Sequence, residues 1–104
     1  MNYRVRYLKL AQNDLSGIIE FNKRFSLKYQ QAVINNIRQH CADLARNPEI
    51  ARVYEANPKY RRMAVDDYLI FYQVDKENLL VSIYRILHGR RNICRIIESD
   101  KENS

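Results

Sequence analysis

From Arg85 to Arg95 the chain reads Arg85-Ile86-Leu87-His88-Gly89-Arg90-Arg91-Asn92-Ile93-Cys94-Arg95, a stretch rich in arginine that contains no acidic residue. Its charges have no local partner to cancel them. Guanidinium forks in this setting match phosphates or carboxylates. Gly89 supplies a permissive backbone at which a strand would end, letting Arg90 and Arg91 project from a turn. His88 lies among these cations, and histidine is the side chain best suited to take up and return a proton under physiological conditions. RNA cleavage asks for that combination: a base for the ribose 2′-hydroxyl, cations for the phosphorane charge, and an acid for the leaving oxygen. Arg62 and Arg91 are candidate cations and His88 a candidate proton carrier, but no second acid or base stands out in the sequence.

Other chemistry finds little support. Cys41 and Cys94 lie far apart, with no C-x-x-C and no Cys/His cluster, so reduced core cysteines are expected rather than a zinc or redox site. His40 has no candidate partner. No P-loop, glycine-rich dinucleotide turn, nucleophile elbow or metalloprotease helix is present, and no cofactor or metal is expected.

These residues must be positioned by a small set of elements. Tyr3, Val5 and Tyr7 alternate with Arg4 and Arg6, which predicts a first strand with one buried face. Ala11, Leu15, Ile18 and Ile19 then recur at helical spacing, although Leu8 and Lys9 offer no good N-cap. Ser26 can cap a second helix whose stripe of Val33, Ile37, Cys41, Leu44 and Ala45 runs to the stop at Asn47-Pro48. Residues 49 to 57 show no sustained period and read as a connecting loop. Three β-rich runs follow, Tyr60 to Val65, Tyr68 to Val74 and Leu79 to Leu87, separated by Asp66-Asp67 and by Asp75-Lys76-Glu77-Asn78.

Asp66 and Asp67 suit a two-residue turn better than catalysis, because aspartate tolerates positive φ. A tight turn there pairs Val65 with Tyr68, Ala64 with Leu69, Met63 with Ile70, Arg62 with Phe71 and Arg61 with Tyr72. One face then carries Met63, Val65, Ile70, Tyr72, Val74, Val81 and Ile83 toward the helices. The other carries Tyr60, Arg62, Leu69, Phe71, Gln73, Ser82 and Tyr84, an aromatic surface that either stacks bases or a peptide or is covered by the C-terminal segment. Strict alternation would send Arg85 into the core, so a bulge or a strand end is expected near it. Whether Arg61 points outward or to the core rim depends on the turn register. Residues 1 to 98 read as a single α+β domain and 99 to 104 as a polar, frayed tail.

With 104 residues the chain has room for one core, and 46% hydrophobic residues with only two glycines and two prolines argue against disorder. A formal charge of +6 favours a polyanionic or acidic partner. The N-terminus lacks an apolar signal core and no stretch approaches ~18 uncharged residues, so a soluble, cytoplasmic protein with no membrane partner is expected.

The order strand, helical hairpin and three antiparallel strands, with Lys59-Tyr60-Arg61-Arg62, Asp67-Tyr68-Leu69-Ile70-Phe71-Tyr72-Gln73-Val74 and Arg85-Ile86-Leu87-His88-Gly89-Arg90-Arg91, resembles the RelE/ParE toxin superfamily over nearly the whole chain. Ala11 and Asp14-Leu15 also look like its first-helix pattern. The resemblance implies one sheet packed on two helices. It also implies a bacterial toxin neutralised by a cognate antitoxin, whose complex touches operator DNA through the antitoxin. RelE-like members cut mRNA on the ribosome, whereas ParE-like members inhibit DNA gyrase without known nuclease chemistry. Arg62 and Arg91 fall where the nuclease pattern has cations, but Leu69 stands in the place of a strand arginine and Ile97 near that of a C-terminal tyrosine. The resemblance is therefore closer to the ParE-like branch. A gyrase-directed growth inhibitor is expected, with a ribosome-dependent mRNA endonuclease and a decayed, antitoxin-binding module as the alternatives. Tyr60, Arg61, Arg62, Phe71, Tyr84, Arg90, Arg91 and Arg95 are the expected target or antitoxin contacts, and Arg62, His88 and Arg91 the catalytic set if the chain is a nuclease.

Overall fold

A computed structural model describes residues 2–102 of the chain. Strand β1 (Arg4–Tyr7) leads into helix α1 (Lys9–Asn22) and helix α2 (Leu27–Asp43). Then come β2 (Arg52–Val53), β3 (Arg61–Val65), β4 (Tyr68–Asp75), β5 (Leu80–His88) and a third helix, α3 (Ile93–Glu102). The sheet order is β1-β5-β4-β3-β2, with β1 parallel to β5 and every other pair antiparallel. A parallel neighbour needs a long crossover. Here the helical hairpin and the returning meander together supply it.

The local chemistry of each element follows from its residues. Helix α1 starts at Lys9 without a side-chain cap, while Ser26 Oγ accepts the Tyr29 N–H at 3.2 Å and caps α2. The apolar stripes of both helices, Ala11, Leu15 and Ile18 with Val33, Ile37, Cys41 and Leu44, are buried against Val65, Ile70, Tyr72, Val81, Ile83 and Ile86 of the sheet. Ile19, placed on the first stripe by sequence spacing, lies at its edge and is exposed. The β3–β4 register is the one that a two-residue turn dictates, from Val65 opposite Tyr68 to Arg61 opposite Tyr72. Asp66 carries the positive φ of 53° that makes this turn possible.

Four readings of the sequence are corrected. Arg52 and Val53 form a fifth strand inside the segment read as a loop, and the backbone bond from Tyr54 N to Tyr60 O at 2.8 Å extends that pairing. A two-residue strand leaves no period to read. Residues 99–102 belong to α3 instead of a tail, because Asn92 Oδ1 accepts the Arg95 N–H at 3.2 Å and Ile93, Ile96 and Ile97 share a face. The last residues of the expected tail, 103 and 104, lie outside the described residues. Cys94 is exposed on α3, although Cys41 is buried as expected.

The fourth correction concerns Tyr60, Phe71 and Tyr84 as expected contacts: of the two outcomes left open for the aromatic face, the structure has cover by the C-terminal segment. Tyr54, Tyr60, Phe71, Tyr84 and Leu87 form a second core with Ile97, flanked by Leu8, Leu69, Ile93 and Ile96. Phe71 is 0% exposed, Tyr60 9% and Tyr84 8%, so these three expected contact residues are packing residues beneath α3. Covering them removes from water an aromatic patch that no element of the sheet could shield.

Candidate functional site

The end of β5 organises the cationic surface. Gly89 donates its N–H to the Asp67 carbonyl at 2.8 Å, and Arg91 N–H bonds His88 O at 3.0 Å, closing a turn beside the β3–β4 hairpin. Gly89 has no positive φ, and a Cβ there would meet Asp67 O at an ordinary 3.5 Å, so the turn does not depend on glycine. His88 Nδ1 accepts the Arg90 N–H at 3.1 Å, which leaves the ring proton of the neutral form on Nε2. The ring stands edge-on to Tyr68, with centroids 5.4 Å apart. Arg90 and Arg91 are exposed, and together with His88 they rim a cavity of about 570 Å3 against α1, where Asn13, Gly17 and Phe21 form the opposite wall.

Arg62 lies elsewhere. It pairs with Phe71, whose side chain belongs to the α3-side core, whereas His88 pairs with Tyr68 and shares the helix-side face with Ile86. The two side chains leave opposite faces of the sheet. Their rows are three residues and two strands apart, which separates the backbones by roughly 14 Å at ~3.3 Å per residue and ~4.8 Å per strand. Arg62 instead lines a groove of about 530 Å3 with Arg52, Tyr54, Ile93 and Cys94. The candidate catalytic set is therefore split: His88 and Arg91 share one cavity, and Arg62 faces another. Leu69 flanks the second core and Ile97 is buried in it, so neither position presents a polar group.

Arg61 points to the core rim, where its guanidinium donates to Ala51 O at 2.7 Å and meets Glu49 at 3.5 Å. Arg95 is exposed on α3. Tyr54 hydroxyl and Cys94 Sγ lie 3.4 Å apart at the start of that helix, and burial followed by this contact pushes the phenol up to about 12. Among the described residues no His/Cys/Asp/Glu group can hold a metal, and no helix is long and apolar enough to cross a membrane.

The strongest polar constellation of the fold was not assembled by sequence reasoning. Arg85 is buried between two carboxylates. Its Nε donates to Asp14 Oδ2 at 2.7 Å and its Nη2 to Asp14 Oδ1 at 2.8 Å, while Nη1 bridges both Asp100 oxygens at 2.9 and 2.8 Å. Burial alone would ease proton loss from the guanidinium, but the two carboxylates more than offset it and hold Arg85 above its ordinary range. Tyr84 hydroxyl adds a 2.6 Å bond to Asp100.

This cluster has a topological origin. Strand β1 stops opposite Ile83, so the next part of β5 has lost its strand partner. Asp14 Oδ2 replaces it by accepting the Ile86 N–H at 2.9 Å. The expected irregularity near Arg85 is present: Arg85 pairs with Phe71 and Ile83 with Tyr72, leaving Tyr84 as the extra residue of a bulge. That bulge turns Arg85 away from the helix-side core toward its two partners. The unplaced arginine in the alternation was the available signal; Asp100 was masked by its polar neighbours.

Residues 5–93 match the family described as the ParE toxin of the type II toxin-antitoxin system, parDE. None of the curated proteins compared matches the sequence. Among solved structures, a chain of the chromosomal ParDE toxin-antitoxin system from P. aeruginosa is similar with a TM-score of 0.71 and 16% identity, covering 83% of this chain and 95% of that one. The toxin-antitoxin complex RelBE2 from Mycobacterium tuberculosis gives a TM-score of 0.61 and 22% identity over 85% and 99% of the two chains. An arginine-to-alanine double mutant of E. coli toxin RelE in the free state gives 0.64 and 13% over 91% and 92%. At these identities the structures speak for the fold, while the family match spans most of the sequence: the chain belongs to the ParE toxin family of type II toxin-antitoxin systems.

Proposed function

We propose that this toxin arrests growth by binding DNA gyrase in the cytoplasm, without cutting RNA, and that a cognate antitoxin neutralises it by covering its basic end. The observation that supports this reading is the division of the cations between two faces of the sheet. Cleavage through a phosphorane requires charge stabilisation and proton transfer to converge within hydrogen-bond reach of one phosphate. Arg62 and His88 leave opposite faces, and apolar Leu69 and Ile97 add neither a cation nor an acid. Arg90, Arg91 and Arg95 remain exposed and suit recognition of an acidic surface, in keeping with the formal charge of +6. Repression of the operon through antitoxin contacts with operator DNA belongs to the same reading.

Induced expression without the antitoxin is the test. A resident plasmid should lose negative supercoils before growth stops, and co-expression of the antitoxin should restore both. Normal growth and plasmid topology with folded protein present would argue for a decayed toxin that only binds its antitoxin. A second reading rests on His88 and Arg91 sharing one cavity, which would place a cation and a proton carrier near one phosphate. It requires codon-positioned mRNA ends, mapped by primer extension, that disappear in Arg91→Ala.

A further inference from the structure

The turn between α1 and α2 is firmly built for a surface connection. Asn22, only 3% exposed, donates from Nδ2 to Ile18 O at 2.7 Å, and its own carbonyl accepts the Phe25 N–H at 3.0 Å. Ser26 Oγ caps α2, and Gln30 Nε2 donates back to Phe25 O at 2.8 Å. These bonds fix the chain from Phe21 to Tyr29. The large side chains held there do not serve the fold: Phe21, Phe25, Leu27 and Tyr29 are 53, 42, 67 and 49% exposed, and neither core includes any of them.

Single exposed apolar residues need no explanation, but a contiguous cluster does. Ring centroids lie 6.4 Å apart for Phe21 and Phe25 and 4.9 Å apart for Phe25 and Tyr29, so three aromatic rings run as one strip over the tip of the hairpin. Lys23, Arg24 and Lys28 are interspersed with them and exposed. Arg24 lies 4.3 Å over the Phe21 ring. Glu20 is held by Lys23 at 2.9 Å, and from Phe21 to Ala42 the sequence contains no acidic residue. The tip is apolar and cationic at once.

We propose that the α1–α2 tip is an interfacial anchor that seats the protein on an anionic lipid surface, with its rings and Leu27 at the boundary between headgroups and acyl chains and its cations among the phosphates. Aromatic and aliphatic side chains interspersed with Lys and Arg partition to that boundary, because the long cationic chains reach back to the headgroups while the apolar groups leave water. A turn joining two helices is convex. A protein partner would have to offer a concave pocket of matching shape, whereas a lipid surface yields around a convex tip. A second copy of the chain is disfavoured by charge, since two such strips face to face would bring like cations together on chains that each carry +6. The expectation of no membrane partner rests on the lack of a spanning stretch, which does not bear on an anchor that lies on the surface. Arg90 and Arg91 take no part in it, so the anchor is independent of the proposed contacts with antitoxin and target.

The test uses the full chain free of antitoxin and extruded vesicles, either pure phosphatidylcholine or equal parts phosphatidylcholine and phosphatidylglycerol. The wild type should co-sediment with the anionic vesicles, less so as salt is raised, and not with the neutral ones. Lys28→Gln should weaken partitioning about fivefold and Leu27→Ser about tenfold, with thermal midpoints close to that of the wild type because neither side chain belongs to a core. The chain has no tryptophan, so Leu27→Trp adds a single fluorophore at the tip, and Ile50→Trp adds one at an equally exposed position beyond the other end of α2. Emission from the first should shift to the blue on anionic vesicles, and emission from the second should stay as in water. Absence of the folded wild type from the anionic vesicle pellet at low salt would overturn the anchor. So would partitioning left unchanged by Phe25→Ser and Leu27→Ser together, which would reduce it to attraction by net charge alone. If the wild type ignores vesicles and that double variant loses binding to purified gyrase, the tip is a protein contact and the lipid anchor falls.

Discussion

Arg85 shows how one residue can fix the relation of three elements. Its side chain joins Asp14 of α1 to Asp100 of α3 from a bulge in β5, and every one of these contacts is shorter than 3 Å. Removing one member of a buried ionic cluster leaves the others charged and unpaired, which typically costs about 3–5 kcal/mol. Arg85→Ala should therefore lose stability of that order in urea unfolding, whereas Arg46→Ala, whose partner Asp43 lies three residues away on an exposed surface, should change it by less than about 1 kcal/mol. Cys41 gives a second prediction. Burial raises its thiol from the ordinary 9.0 to about 11, with the Tyr7 hydrogen bond acting the other way. The folded chain thus holds this proton more tightly than the unfolded chain. Its contribution is fully present below pH 9 and is lost as the pH rises to about 11, so stability measured by denaturant titration should fall across that window. Cys94, exposed on α3, should react with iodoacetamide under native conditions while Cys41 remains protected.

At the scale of elements, the helix-side layer was legible and the α3-side layer was only half so. Period-two and period-3.6 patterns located β1, both helices of the hairpin and the three long strands, and the Asp66-Asp67 turn fixed the β3–β4 register because a one-residue slip would expose Val65 and Tyr72. Strand β2 is too short to carry a period. Helix α3 has its cap at Asn92 and its apolar triplet at Ile93, Ile96 and Ile97, but the charged residues from Glu98 onward obscured its extent. This is why Tyr60, Phe71 and Tyr84 read as an accessible surface. Helix α3 is held by apolar packing together with the bonds from Arg85 and Tyr84 to Asp100. Asp100→Ala should accordingly speed amide hydrogen exchange in α3 far more than in α2, and a chain ending at Asn92 should bind a hydrophobic dye through the uncovered aromatic core.

For the whole molecule, the distribution of charge matters more than its sum. The formal +6 is compatible with nucleic acid or an acidic protein, and sequence position alone placed Arg62, His88 and Arg91 in one candidate set. The fold divides that set, because strand pairing assigns each residue to a face that linear spacing does not reveal until the register is known. What remains exposed is Arg90 and Arg91 at the rim of the cavity against α1, with Arg95 on the neighbouring helix, the surface proposed above for recognition. A toxin working through such a surface inhibits by occupancy, so its effect should follow stoichiometry with the target and be reversed by a competitor for the same cations. Supercoiling of relaxed plasmid by purified DNA gyrase, titrated with the purified chain, measures this most directly. Supercoiling should fall as the chain is added and return on addition of the antitoxin; undiminished supercoiling at a large molar excess of folded protein would contradict the account.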